Sequence, residues 1–154
     1  MSEKPVAVRP VQPPDLDAAI ALDRQVTGLS RRGFFVKRHA SLGADPGRFA
    51  WLVAERDGSL AGFVSAHLQE GEFGGTARAA VIDAIATDPA QRGTGIGRAL
   101  MDALEADLRA RGVTEIRSEA DWTDREMVRF FAASGFALAP QLVLNCPVTA
   151  EARP

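Results

Sequence analysis

The clearest periodicity in the chain lies beyond its midpoint. Ile96, Leu100, Leu104 and Leu108 recur every four residues, with Arg98, Asp102, Glu105 and Arg109 between them. One apolar stripe of this kind predicts an amphipathic helix over residues 95–111, closed by Gly112. Glu105–Arg109 and Asp107–Arg111 add acid-first pairs at helical spacing. Upstream the pattern changes to short β-rich runs. Residues 7–9 predict a first strand, and residues 49–56 and 60–68, joined by Asp57-Gly58, predict a hairpin. Residues 77–85 are apolar nearly throughout, as expected of a strand covered on both faces, and follow a glycine-rich loop at 71–75. Residues 114–119 predict the next strand.

Between the first strand and the hairpin, a helical pattern opens at Asp15-Leu16-Asp17 and breaks at Thr27-Gly28. A second helix is expected over residues 31–42, stopping at Gly43. Near the other end, Thr123-Asp124-Arg125-Glu126 matches a capping box with Thr123 as N-cap. The helix it starts should bury Met127, Phe130 and Phe131 and end at Ser134-Gly135. Two short strands, 136–138 and 142–146, and a loose tail, 147–154, complete the expectation. The mixed order, with a hairpin in the first half, argues against a purely doubly wound sheet.

Composition narrows the class. At 154 residues the chain is expected to form one domain, 1–154, with its core in about residues 6–146. No apolar run approaches a membrane span and no secretory leader is visible, so the default compartment is cytoplasmic, with no membrane partner. The single cysteine, Cys146, cannot make an internal disulfide and is expected as a small core residue; no metal-ligand cluster is present. A net charge of −2 argues against a nucleic-acid binder. The charge is uneven, however: from Arg24 to Ala44 there are five cations and no acid. That stretch is either a solvated helix face or a patch for a substrate carrying negative charge.

The segment with the most chemistry joins the apolar strand to the best helix: Asp88-Pro89-Ala90-Gln91-Arg92-Gly93-Thr94-Gly95-Ile96-Gly97. Three glycines in five residues let a ligand approach the backbone, and the N–H groups of a helix's first turn suit a phosphate. Arg92 and Arg98 would add charged donors beside it. The P-loop pattern fails for want of a lysine, and the dinucleotide pattern fails because its last glycine position is Arg98.

Arg92-x-x-Gly95-x-Gly97 resembles instead the acyl-CoA pyrophosphate loop of the GNAT N-acetyltransferases. The Phe130-Phe131-Ala132-Ala133-Ser134-Gly135-Phe136 segment is similar to that family's Phe-Tyr-x-x-x-Gly-Phe, at the expected place. The resemblance covers roughly residues 6–144 and is strongest over 81–136. It implies an α/β fold with a central mixed, mostly antiparallel sheet, about four flanking helices and a splayed strand pair. It also implies acetyl-CoA as co-substrate and no metal. The pyrophosphate would lie on Gly93, Thr94, Gly95, Ile96, Gly97 and Arg98, near Arg92. Ile85, Ala86 and Thr87 would pair with the pantetheine arm through their backbone. Asp124 stands where many relatives carry an asparagine touching that arm, and Phe131 stands where many carry a tyrosine that protonates the leaving thiolate. The chain has no tyrosine at all.

Acetyl transfer to an alkyl amine of pKa ~10.4 calls for a base, because the amine is almost wholly protonated at pH 7. Asp83, interrupting the apolar strand, is the leading candidate; its alternative is a carboxylate that pairs with a nearby arginine or caps a bulge. Glu119, with Asp121, is the second choice. His67 on a hairpin strand is a weaker candidate, and His39 is expected to be exposed. Arg32, from the basic stretch, and Trp122 are candidate acceptor contacts; Trp51 reads as core. The expected activity is N-acetyl transfer to a primary amine by direct attack in a ternary complex. The acceptor is a small molecule or a protein N-terminus or lysine, and a homodimer is a common assembly in the family. The alternatives are a non-catalytic acyl-CoA sensor or interaction module on the same fold, and nucleotide binding by the glycine loop.

Overall fold

Asp57 and Gly58 both adopt positive φ, 56° and 74°, and reverse the chain between strands β2 (Phe49–Arg56) and β3 (Ser59–Glu70). Two consecutive left-handed residues match the natural twist of a hairpin, which is why this dipeptide is legible as a turn. The structure, a computed structural model, describes residues 4–71, 74–75 and 77–148. Part of the expected glycine-rich loop at 71–75 and most of the expected tail therefore lie outside the described residues. The chain divides into two compact units, one running through Glu119 and one starting at Ala120.

The first unit holds a five-stranded sheet in the order β1-β2-β3-β4-β5, with β1 at Ala7–Pro10, β4 at Arg78–Thr87 and β5 at Glu115–Arg117. The first three pairings are antiparallel; β4 and β5 are parallel. The fold is thus mixed α/β with a mostly antiparallel sheet. Helices α1 (Leu16–Thr27) and α2 (Arg32–Ala44) lie on one face. There Ala19, Ile20, Leu22 and Phe35 meet Trp51, Val53, Phe63, Ala84 and Ala86 in one buried cluster. Gly28, at φ 76°, stops α1 and returns its N–H to the Arg24 carbonyl at 2.8 Å.

Helix α3 (Ile96–Ala110) covers the opposite face, since Gly62 turns to it while its neighbour Phe63 turns to α1 and α2. The stripe Ile96, Leu100, Leu104 and Leu108 is buried as its spacing predicts, each side chain contributing about 1.5–3 kcal/mol of burial. A methyl at Gly62 would stand 2.9 Å from Ile96 Cγ2 and 3.0 Å from the Ala86 carbonyl oxygen. The missing side chain is what allows the start of α3 to sit down on the sheet.

In the second unit, α4 spans Arg125–Ala133. Its N-cap is Asp124, whose Oδ1 accepts from the Met127 N–H at 3.1 Å, so the expected cap at Thr123 is off by one residue. Both residue types cap well, and the local sequence does not choose between them. Gly135 at φ 91° ends the helix, and the Phe136 N–H reaches back to the Phe131 carbonyl at 2.9 Å. That six-to-one bond folds Phe136 onto Phe131, with ring centroids 4.8 Å apart. The strands expected at 136–138 and 142–146 are not formed. Residues 136–148 carry no regular element, and Leu138, Leu142, Val143 and Leu144 are exposed. Cys146 is exposed as well, not a core residue.

Among the described residues, no helix is long and apolar enough to cross a membrane.

Candidate active site

The junction between β4 and α3 is built on Asp88. Its backbone N–H is tied to the Ala61 carbonyl on β3 at 2.8 Å. Its carboxylate accepts from the Ala90 N–H at 2.9 Å and from the Gln91 side-chain amide at 3.3 Å, closing a single 3-10 turn over Pro89–Gln91. The Thr94 hydroxyl then donates to the Gln91 carbonyl at 2.6 Å. Gly93 and Gly95 follow at φ 76° and 89°, a region other residues rarely enter, and a Cβ on either would meet no atom within 4 Å beyond its own chain neighbours. Protein packing does not demand these glycines. Backbone conformation does, and the space before them is open.

Helix α3 begins immediately afterwards, so the N–H groups of Ile96, Gly97 and Arg98 have no carbonyl of the helix to bond. Together with the positive end of the helix dipole they form a receptor for an anion, and Arg98 beside them is largely exposed.

Next to this loop the sheet opens. Among the described residues β5 pairs with β4 only from Ala79 to Val81, whereas β4 continues to Thr87. Residues 85–87 therefore present a main-chain edge beyond the end of their β5 partner, where an extended ligand could pair as another strand would. The Ala86 side chain lies in the α1/α2 cluster, which leaves its backbone as the part able to meet a ligand.

Asp83 sits at a fault in the register. Ser65 pairs with Ala84 and Ala66 with Ile82, so Asp83 is the extra residue of a β-bulge. The bulge swings its side chain to the face of α2, where two partners meet it. His67 Nδ1 lies 2.7 Å from Oδ1, and Arg38 Nη2 lies 3.2 Å from Oδ2. The Asp83 side chain is only 11% exposed, against 18% for Arg38 and 29% for His67. Arg38 is further held with its guanidinium 4.7 Å from the Phe49 ring centroid and 5.4 Å from that of Phe34. A carboxylate oxygen accepts from a ring N–H, so His67 donates through Nδ1 in this contact, and its Nε2 faces the Gln69 amide at 3.4 Å. Asp83 is thus paired with an arginine, as its alternative reading had it, and it also orients an imidazole.

The acid-free basic stretch is not a bare patch. Arg31 donates twice to buried Asp23, at 2.9 and 2.5 Å, and those hydrogen bonds hold its guanidinium above the ordinary arginine value. Arg32 pairs with Asp17 at 3.0 Å, and Arg38 with Asp83. Each acid comes from another element, α1 or β4, which a local count of charge does not register. Arg32 and Asp17 line a cleft of about 470 Å³ with Arg24, Gln25 and Ser30. His39, expected as exposed, is half-buried with its ring centroid 6.1 Å from that of Trp51.

Glu119 is exposed two residues after β5. Trp122, Asp124 and Phe131 belong to the second unit. Trp122 is 89% exposed; Asp124 caps α4; Phe131 is buried against Phe130 and Phe136. Among the described residues, no three histidine, cysteine or acidic side chains are grouped to hold a metal. Sequence reasoning missed the roles of Arg38 and Gln69, because partners supplied across a sheet leave no local spacing to read.

Known proteins resemble this chain in sequence and in fold. The chain is 35% identical to mycothiol acetyltransferase of Thermobispora bispora over 92 residues, which is 60% of this chain and 30% of that protein. It is 38% identical to the chloroplastic serotonin N-acetyltransferase 2 of Oryza sativa subsp. japonica over 64 residues, 42% of this chain and 30% of that protein. Each of these two matches spans less than a third of the curated relative's length. In three dimensions it superposes on the aminoglycoside N-acetyltransferase AAC(6')-Iy in complex with CoA, with a TM-score of 0.80 and 17% identity, over 95% of this chain and 97% of that one. The profile of the Acetyltransferase (GNAT) family matches residues 19–136, most of the chain. The chain belongs to the GNAT acetyltransferase family.

Proposed function

We propose that the protein is an N-acetyltransferase that moves an acetyl group from acetyl-CoA to a primary amine by direct attack in a ternary complex. One observation carries this reading: the open, glycine-built N-terminus of α3 adjoins the edge where β4 runs on past β5. A diphosphate fits the first feature and an extended pantetheine arm fits the second. Bound there, acetyl-CoA supplies a thioester carbonyl open to attack and a thiol able to leave.

The chain's own residues have separate tasks. Gly93, Gly95 and the N–H groups of Ile96, Gly97 and Arg98 hold the diphosphate, with Arg92 and Thr94 beside them. Residues 85–87 align the arm through main-chain bonds. Asp83 and the imidazole it orients take the proton from the acceptor's ammonium, directly or through water, which frees the amine lone pair for attack, and Glu119 is the second candidate. Arg32 is the candidate acceptor contact in the first unit and Trp122 the candidate in the second. Asp124, the candidate contact for the arm in the second unit, spends one carboxylate oxygen on its helix cap and keeps the other as an acceptor. Phe131 has no proton to give, and no tyrosine replaces it. The departing thiol then leaves as its anion, tolerable for a group resembling a thiol of pKa ~8.5. The rate should rise with pH as the amine loses its proton.

The acceptor fits a small-molecule amine, in keeping with relatives named for serotonin and aminoglycosides. Thiol release from acetyl-CoA, followed across a broad panel of amines, tests the proposal. Turnover on any amine supports it. Tight CoA binding without turnover on any amine would favour the acyl-CoA sensor, and binding of ATP or NAD in place of CoA would defeat both.

A further inference from the structure

We propose that Arg56, at the end of β2, is a positioning residue that locks the Gln91–Thr94 loop in its anion-receiving form and lends it charge. The inference rests on the reading of that loop as the diphosphate site of CoA.

Arg56 lies 35 and 38 residues before the groups it holds. Its Nη1 donates to Gln91 Oε1 at 3.2 Å and to Thr94 Oγ1 at 2.8 Å, and its Nη2 donates to the Thr94 carbonyl at 3.1 Å. Every role in this network is consistent. The Thr94 hydroxyl has one proton, given to the Gln91 carbonyl, and a lone pair left for Arg56. The Gln91 amide accepts from Arg56 through oxygen and donates through nitrogen to Asp88. One guanidinium thereby fastens the loop's threonine, its glutamine and, through the glutamine, the aspartate that starts the turn.

Two consequences favour anion binding. A segment carrying Gly93, Gly95 and Gly97 would otherwise sample many backbone states, and a ligand would have to meet the cost of ordering it. Arg56 orders it beforehand. It also occupies the Thr94 carbonyl, whose oxygen would repel a diphosphate if it turned toward one. The charge matters separately. Among the described residues Arg56 makes no ion pair with a carboxylate, and its Nε is buried without a hydrogen-bond partner. An uncompensated, half-buried cation behind a helix N-terminus strengthens the pull on a diphosphate.

The test compares CoA with acetyl-pantetheine, which lacks the diphosphate. Calorimetry on Arg56→Ala should show CoA affinity weakened by at least about tenfold, while kcat/KM for acetyl-pantetheine stays at the wild-type value. Arg56→Lys, which keeps the charge and loses the fork, should recover only part of the affinity. If Arg56→Ala does not fold, Arg56→Lys carries the test with the same requirement of a CoA-selective loss. Equal CoA affinity in wild type and variants would overturn the proposal, as would equal losses toward CoA and acetyl-pantetheine, which mark a general structural defect. Failure of the wild-type protein to bind CoA would instead overturn the loop reading itself, and this inference with it.

Discussion

His67 and Asp83 are joined Nδ1 to Oδ1 at 2.7 Å, although the strand register sets Val81, not Asp83, opposite His67. The bulge makes this meeting possible. In an unbroken strand Asp83 would alternate with Ala84 and point to the face of α3. With one residue inserted, both lie toward α2, and a carboxylate, an imidazole and a guanidinium collect in one place.

Asp83→Asn replaces the carboxylate that fixes the imidazole with a neutral amide and leaves Arg38 without its charge partner. We expect kcat to fall by about 10²-fold, with CoA affinity unchanged, because the diphosphate loop is untouched. Steady-state kinetics and calorimetry on the same preparation check this. An unaltered kcat would remove the pair from the reaction.

Gly95→Asp places a side chain at φ 89° and a carboxylate before the first turn of α3. The left-handed conformation alone costs a non-glycine residue about 1–2 kcal/mol, and repulsion of a diphosphate adds to it. CoA affinity should drop by about 10²-fold or more while the circular dichroism spectrum stays that of the parent. Unchanged affinity would show that the loop holds no diphosphate.

Gly62→Ala drives a methyl against Ile96 and the Ala86 carbonyl oxygen, the latter part of a strand and unable to yield. We expect a loss of about 1–3 kcal/mol, read as a lower urea midpoint at unchanged slope. A midpoint equal to wild type would mean that α3 can rise from the sheet at no cost.

Asp15 is gripped by Arg9 at 2.6 and 2.9 Å and accepts the Gln12 N–H at 2.8 Å. The hydrogen bonds from Arg9 lead in holding its carboxyl below the ordinary value of 3.8. A lowered carboxyl stabilises the fold above the unfolded-state value, and that contribution is lost as pH falls through the folded-state value. Asp15→Asn should therefore cost about 1–2 kcal/mol at pH 7 and progressively less below pH about 4, the two proteins converging in strong acid. Denaturant melts at several pH values check the convergence; parallel curves would place the effect elsewhere.

Much of this was legible in the sequence because it is local. The α3 stripe, the Asp57-Gly58 turn and the glycines before α3 are each specified within a few residues by helix period, turn geometry or freedom of φ. The partners of Asp83 are not local. A bulge is a property of two strands together, and nothing within β4 announces which residue is extra. The same holds for Arg31, Arg32 and Arg38, whose acids arrive from α1 and β4. Leu142–Leu144 shows the opposite failure: an apolar alternation suits a strand, yet strand bonds need a neighbour that alternation does not name, and these residues stand exposed. At α4 the misreading is one of degree, two good caps in adjacent positions.

The pairing of three of the five cations in the basic stretch bears on how an acceptor arrives. Arg31 on Asp23, Arg32 on Asp17 and Arg38 on Asp83 convert three cations into three short dipoles. The field of a dipole dies away faster than that of a charge, and at physiological salt even a bare charge reaches only about 8 Å. A molecule approaching α1 and α2 receives little guidance from these arginines before it touches the surface. Its encounter with them is ordinary diffusion, only weakly sensitive to ionic strength. Whatever selectivity this side of the protein exerts among amines is then expressed in dwell time, not in speed of capture.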